Sequence, residues 1–262
     1  MIQSLSPILN SGLLNDHTGV LAFNAMQTFL IAAQFKGESE TPTPYSKFAQ
    51  GLPKDEKKRV SSRNGMLLIY VPASMVGLLF VLSSSAYSTP AALMCFIHFL
   101  KRDLEVLFLH KYSGTVELGV SQFIGFFYAF ITFMICLVSR SEVDPQVLQL
   151  GQALFSIGIL GNFYHHYLLA SLRKNGSAVE TKKYHAPTGG LFEFVAAPHY
   201  LFEVIGWLGI AFVSGDMTAF LNFGTMTAYL SARSKNQNDW NRKKFDEKEW
   251  PSSRKNLVPF IY

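Results

Sequence analysis

Cysteine is nearly absent from these 262 residues: Cys95 and Cys136 are the two, and both fall within long apolar runs. Neither a disulfide framework nor a thiolate metal centre is therefore expected. Charge is scarce as well, at 16% of residues against 49% hydrophobic and 14% aromatic. The polar residues gather between the apolar runs, which is the pattern of an integral membrane protein. No GxGxxG follows a strand pattern and no GxxxxGK[ST] occurs, which excludes the usual soluble nucleotide folds. Seven histidines include the adjacent His165 and His166. The spaced HxxxH and HxxHH boxes of membrane di-iron oxygenases are missing, however, and no metal is expected. The first apolar run, LLNDHTGVLAFNAMQTFLIAAQF, contains Asp16, His17, Asn24 and Gln27. It lacks the basic start and small-residue cleavage site of a signal peptide and reads as a mature helix with its polar side turned inward.

What the chain does contain is a series of apolar segments. Helices are expected at about 13–35, 66–86, 90–110, 116–138, 145–171, 191–213 and 217–232, forming an all-α, seven-transmembrane-helix bundle. Lys and Arg concentrate in cytoplasmic loops. With the N-terminus lumenal and the C-terminus cytosolic, segments 36–65, 111–115, 172–190 and 233–262 lie in the cytosol and carry 20 of the 23 Lys and Arg. Adding or removing one span would put a basic loop on the wrong face. The net charge of +5 is thus a topology signal rather than a nucleic-acid patch.

Three stretches carry chemistry. In LMCFIHFLKRDLEVLFLH, four ionisable residues, Lys101, Arg102, Asp103 and Glu105, interrupt a lipid-compatible run. Each is costly at membrane depth unless paired or facing a polar cavity, and Lys101 and Arg102 can reach Glu105 at helical spacing. The cluster reads either as ion pairs locking the bundle or as a cavity for a charged or polar ligand. In GILGNFYHHYLLASLRKNG, Asn162, His166 and Arg173 fall within roughly 40° on one helical face. That line suits a ligand with its acidic part near the cytosol, since Arg pairs bidentately with phosphate; Arg173 and Lys174 also suit snorkelling anchors. In YHAPTGGLFEFVAAPHYLFEVIGWLG, Gly189 and Gly190 open a helix whose free amides can receive an anion. Pro198 is expected to kink that helix, with His199 and Glu203 one turn apart beyond it.

Taken in order, HFLKRDLEVLFLHKYS, GNFYHHYLLASLRKNG, APTGGLFEFVAAPHYLFEVIGW and the tail WPSSRKNLVPFIY, with an upstream TPYSKF, make the chain similar to the steroid 5α-reductase family, including its very-long-chain enoyl-CoA reductase branch. The first motif looks closer to the enoyl-CoA branch and the GGLFEFV stretch closer to the steroid branch. The resemblance implies a multi-pass endoplasmic-reticulum membrane protein that uses NADPH to reduce a carbon–carbon double bond conjugated to a carbonyl in a hydrophobic substrate. It implies a single membrane domain over 1–262, with 1–110 on the substrate side and 111–262 on the cofactor side. Carried over by position, Asn162, Arg173, Glu203 and Arg233 match polar residues that hold the cofactor, and Tyr184 marks the loop that covers it. His166 stands where an Asp is usual, His185 where an Arg is usual and His199 where an Asn is usual.

The reaction itself sets requirements. Hydride arriving at the β-carbon leaves an enolate, so a donor must face the carbonyl oxygen and a proton must reach the α-carbon. The family's usual donor is a Glu and Tyr pair. The aligned residues here are Tyr70 and Phe99, leaving Tyr70 as the expected donor, with His98 or the Lys101 and Glu105 network supporting it; Tyr70 equally suits an interfacial aromatic. A Δ4-3-ketosteroid is the favoured substrate and a trans-2-enoyl-CoA the rival, for which the basic loop 54–63 is a candidate nucleotide site. The absence of a separate soluble domain before the first span is read as favouring the steroid. A membrane methyltransferase, suggested by PHYLFE, and a bundle that has lost its chemistry are the further alternatives.

Overall fold

The computed structural model describes residues 17–43, 58–83, 89–139, 142–172 and 185–262. Seven α-helices are found among them: α1 His17–Glu40, α2 Ser62–Val81, α3 Pro90–Leu104, α4 Leu118–Val138, α5 Pro145–Ser171, α6 Pro198–Ser214 and α7 Met217–Lys244. A π-helical turn, Glu105–Leu109, extends α3, and a short 3-10 turn, Gly190–Glu193, precedes α6.

Local chemistry fixes most of the helix starts. Thr89 Oγ1 accepts from the Ala92 amide at 3.2 Å with Pro90 at the first helical position of α3. Asp144 Oδ1 accepts from Gln146 and Val147 at 2.9 and 3.3 Å ahead of Pro145 in α5, and Asp216 Oδ1 accepts from Thr218 at 2.8 Å to open α7. A short polar acceptor satisfies the orphan amides, while proline lacks the N–H that would otherwise be orphaned. α6 stops at Gly215, whose φ of 64° is the left-handed conformation that a Cβ disfavours.

Successive helices alternate in direction. Tyr70 of α2 meets Arg102 of α3 while Gly77 meets Phe96, an antiparallel order, and Gly65 and Gly125 set α2 and α4 parallel through Ser121 and Leu68. Lys101 and Glu105 reach Asn162 and His166, so α3 and α5 are parallel. Gly151 faces Gly209 and Gly158 faces Gly206, so α5 and α6 are antiparallel at an approach too close for a Cβ. Phe212 packs on Phe220 across the α6–α7 hairpin at 5.5 Å. α1 runs parallel to α7, with Gln27 bonded to the Thr218 carbonyl and Glu38 to Arg233. Strands Arg59–Ser61 (β1) and Thr115–Glu117 (β2) pair antiparallel, which puts the start of α2 and the start of α4 at one end.

α2, α4 and α5 are long and apolar enough to cross a membrane. With Phe29, Leu82, Phe108, Phe123, Phe126 and Leu160 exposed on the outside, they mark the chain as a membrane protein. Two expectations are corrected. Pro198 does not kink a helix: residues 194–197 leave helical geometry, and Pro198 starts α6, where its missing N–H costs nothing. α7 runs to Lys244 rather than ending near 232. Its extension is polar, with Asn236, Asn238 and Asn241 buried. Asn238 donates to the Arg254 carbonyl and to Asn256 at 3.1 and 2.9 Å and accepts from Trp250 Nε1 at 2.9 Å, so amide contacts to the C-terminal tail stand in for apolar packing.

Candidate active site

The last turn of α3 carries the centre of the site. Glu105, buried, receives Lys101 Nζ at 2.8 Å on one oxygen. Arg102 Nη1 and His166 Nδ1, the latter at 2.9 Å, meet the other oxygen. Helical spacing delivers both cations to one carboxylate, and the parallel α5 brings His166 in from the side. Arg102 Nη1 also lies 2.8 Å from His166 Nδ1. A protonated Nδ1 donates to Glu105 and a bare one accepts from Arg102, so His166 sits at the branch point of the network. Lys101 donates to Asn162 Oδ1, and Asn162 Nδ2 donates to the His199 carbonyl at 2.8 Å, tying α3 through α5 to α6.

Tyr70 completes the cluster from α2. Arg102 Nη2 donates to its phenolic oxygen at 3.0 Å, and the guanidinium carbon lies 4.8 Å from the ring centroid. A phenol that accepts from arginine has its own O–H free to donate elsewhere. Tyr70 stacks on Tyr128 at 6.2 Å, and Phe99 packs on Tyr128 and Trp207 at 5.5 and 6.0 Å. These rings form a continuous aromatic wall beside the charged cluster. Lys101 and Arg102 share Glu105, which leaves one positive charge in excess among the groups in direct contact.

The structure thus brings together Tyr70, Lys101, Glu105, Asn162 and His166. His199 adjoins them, its ring 5.4 Å from His166 and its Nδ1 buried without a partner among the described residues. Glu203, one turn further along α6, lies within electrostatic reach of Lys101 and Arg102. His98 packs against Phe99 and Trp207 at 4.9 and 4.8 Å rather than joining the hydrogen-bonded network. Arg233 stands apart in a buried pair with Glu38 at 2.7 Å, with the Tyr200 phenol beside it. Arg173, Lys174, Tyr184 and part of the basic loop 54–63 lie outside the described residues.

One expectation fails. The amides around Gly189 and Gly190 are not free for an anion: Gly189 N donates to Glu193 at 2.7 Å, Leu191 N to His165 Nε2 at 3.1 Å and Phe192 N to the Gly189 carbonyl at 3.2 Å. The glycines serve the turn instead, with φ of 85° and 54° and no room for a Cβ at Gly190 against His165. The C-terminal tail locks this turn. Arg254, stacked 4.3 Å over Trp250, donates to the Pro187 carbonyl at 3.3 Å and to Glu193 at 3.4 Å, and the Ala196 amide donates to the Lys255 carbonyl at 2.8 Å. Burial pushes the Arg254 guanidinium below its usual range, opposed by Glu193.

Sequence reasoning singled out Arg102 as a charge but did not place it in the site, where it touches Tyr70, Glu105 and His166. Its i,i+3 spacing to Glu105 was read as an ion pair, and its contacts with Tyr70 and His166 were not anticipated. His110 was missed too. The donor atoms of Glu105, His110 and His166 lie within 4.8 Å of one another, a spacing that metals use. Arg102 and Lys101 already occupy the carboxylate, so a divalent ion there meets two cations at contact range, and the set does not read as a metal centre.

Residues 116–262, more than half of the chain, match the 3-oxo-5-alpha-steroid 4-dehydrogenase family. The chain belongs to this family. Its relatives include the very-long-chain enoyl-CoA reductase of Dictyostelium discoideum, 30% identical over 187 residues that cover 68% of this chain and 60% of that protein. The human 3-oxo-5-alpha-steroid 4-dehydrogenase 1 is 37% identical over 123 residues, covering 45% of this chain and 43% of the relative. Polyprenal reductase 1 of Arabidopsis thaliana is 26% identical over 207 residues, 63% of this chain and 62% of the relative. The chain therefore spans between two-fifths and two-thirds of the length of these proteins. The match begins at β2 and takes in α4 to α7 and the tail, so Asn162, His166, His199, Glu203 and Arg233 lie within it, whereas Tyr70, Lys101 and Glu105 lie before it.

Proposed function

We propose that this protein is a multi-pass membrane oxidoreductase of the endoplasmic reticulum that uses NADPH to reduce a carbon–carbon double bond conjugated to a carbonyl. A Δ4-3-ketosteroid is its preferred substrate class. The observation that carries the reading is the Arg102–Tyr70 hydrogen bond of 3.0 Å beside the charge-rich cluster. Arginine fixes the phenol oxygen and leaves its proton available, which is the donor that a developing enolate oxygen needs. The excess positive charge on Lys101 and Arg102 strengthens that donor. Placing it in an apolar, water-poor bundle makes its electrostatic contribution larger than in water.

The implied dinucleotide fits the residues present. His199 Nδ1 is a buried polar atom with no partner among the described residues, and it sits next to Asn162 and His166 on the wall facing the cationic cluster. Asn162, His166, His199 and Glu203 would hold the nicotinamide end, with Arg233, Arg173 and Tyr184 toward the cytosolic end. When bound, the cofactor supplies the hydride. Tyr70 donates to the carbonyl oxygen, Arg102 holds Tyr70 in place, Glu105 orients both cations, the aromatic wall of Tyr128, Phe99 and Trp207 lines the apolar side, and the enol so formed returns the oxygen's proton as its α-carbon takes one from solvent. The bundle then reads as seven spans, N-terminus lumenal, as the alternating helix directions and the basic loops at one end support.

A second reading has support of its own. The Dictyostelium relative is an enoyl-CoA reductase, and its alignment takes in a larger share of this chain than that of the human steroid enzyme. Microsomes containing the protein, supplied with NADPH and either androstenedione or a trans-2-enoyl-CoA, separate the two. The steroid alone gaining two hydrogens supports the first reading, the thioester alone the second, and neither gaining them contradicts both.

A further inference from the structure

Beyond the reactive cluster, the bundle contains a second set of buried polar groups that the reaction does not use. Gln27 of α1 donates its amide to the Thr218 carbonyl of α7 at 3.2 Å, yet its Oε1 has no partner among the described residues. The same holds for Asn24 Oδ1, Thr218 Oγ1, both amide atoms of Asn222 and the indole N–H of Trp207. Gln27 and Asn222 are 1% exposed, Thr218 0% and Trp207 2%. Asn24 and Gln27 are one turn apart on α1, Thr218 and Asn222 one turn apart on α7, and the Gln27–Thr218 bond joins the two helices.

A buried polar atom without a partner is strongly disfavoured, and the orphaned donors and acceptors along the joined faces of α1 and α7 call for a polar occupant. The occupant must be uncharged, since none of these side chains carries charge, and it must be able to both accept and donate or be read from several sides. A hydroxyl meets that description, donating to Gln27 Oε1 and accepting from Asn222 Nδ2, whereas a ketone only accepts. The position agrees. The hairpin pairings Phe212 with Phe220 and Tyr200 with Arg233 put Asn222 level with Ile210 on α6. At 1.5 Å per residue that is about 10 Å along the bundle from Glu203. Trp207 lies between, continuing the aromatic wall that begins at Tyr70.

We infer that Gln27, Thr218 and Asn222 form a subsite for an oxygen at the end of the substrate remote from the reacting enone. The site then selects rigid lipids with oxygen at both ends. This inference rests on the reductase reading and deepens it toward the substrate. A simple acyl chain has nothing to offer the subsite, whereas a fused-ring ketone with a second oxygen spans the two polar regions across an apolar middle.

The test uses the full-length protein in nanodiscs with NADPH. It compares equilibrium binding and turnover of the 17-hydroxy analogue of androstenedione with those of the steroid lacking that distal hydroxyl. The wild type is expected to bind the hydroxy steroid about tenfold more tightly, the discrimination that one buried hydrogen bond supplies. Asn222→Leu, and separately the near-isosteric Gln27→Met, are expected to bring that ratio close to one, with the affinity for the steroid lacking the hydroxyl showing that each variant is folded. Equal wild-type affinities, or a ratio untouched in both variants, overturn the subsite and indicate water as the occupant, while turnover of both steroids leaves the reductase reading standing. A hydroxyl preference in binding without turnover of either steroid keeps the subsite and removes the reaction. Absence of binding for both overturns the two together.

Discussion

Glu105 holds two cations and an imidazole in the bundle interior, so the rest of the site depends on its charge. Removing one partner of a buried ion pair leaves an uncompensated charge and typically costs about 3–5 kcal/mol. Glu105→Gln strands both Lys101 and Arg102. It is expected to lower stability by that amount, read as an earlier thermal unfolding transition in detergent, and to abolish turnover; wild-type stability in this variant would mean that the pairing seen here does not persist in the membrane. Tyr70→Phe removes the proposed donor but keeps the ring stacked on Tyr128. Its kcat is expected to fall about 10²- to 10⁴-fold, the range for a positioned proton donor, with cofactor affinity unchanged. A loss in affinity without a loss in kcat would reassign Tyr70 to binding. At this scale the sequence was informative where helical spacing alone decided the partner, as for Lys101 and Glu105. It was silent on Tyr70 meeting Arg102 across α2 and α3, because that contact depends on helix packing and spans 32 positions.

Among the elements, α5 and α6 carry the most precise geometry. Gly158 faces Gly206 so closely that a Cβ would collide with backbone, and Gly161 lies under the Phe202 ring. That approach lets Asn162 reach the His199 carbonyl. Gly158→Leu is therefore expected to separate the helices, lower the unfolding temperature and weaken NADPH binding together; cofactor affinity preserved at full stability would show that the approach does not position Asn162. The apolar cores of these helices were legible from hydropathy, as was their order. The start of α6 was not, because Pro198 fits both a kink and a first-turn position, and which it takes depends on the tail strapping residues 194–197 through Lys255. The polar half of α7 was hidden for a related reason: Asn236, Asn238 and Asn241 look like solvent-facing residues until their partners in the last turns of the chain are known.

For the whole molecule, alternating helix direction and the clustering of basic segments combine into one topology. Cysteine labelling in intact microsomes is expected to modify Ser113→Cys and Ser253→Cys from the cytosolic side and to leave Asp144→Cys protected until the membrane is opened. Labelling of Ser253→Cys only after opening would invert the orientation and with it the side from which a cofactor enters. The seven helices and their order were readable from hydropathy because apolar runs of that length report on the bilayer, which acts on every residue alike. The assembly of Tyr70, Arg102, Glu105 and His166 into one site was not, since it arises from three helices whose relative rotation hydropathy does not encode.

The central claim is that this bundle performs a reduction in which the two added hydrogens come from different sources. The most direct measurement supplies the purified protein with androstenedione, or with a trans-2-enoyl-CoA in parallel, and follows product mass once with deuterated NADPH in ordinary water and once with ordinary NADPH in heavy water, comparing wild type with Tyr70→Phe. The account predicts a gain of two hydrogens in total, one deuterium from the cofactor in the first case and one carbon-bound deuterium from solvent at the α-carbon in the second, with product formation strongly slowed in Tyr70→Phe. A product that takes no deuterium from the cofactor, or no product from any substrate with the wild type, would contradict it.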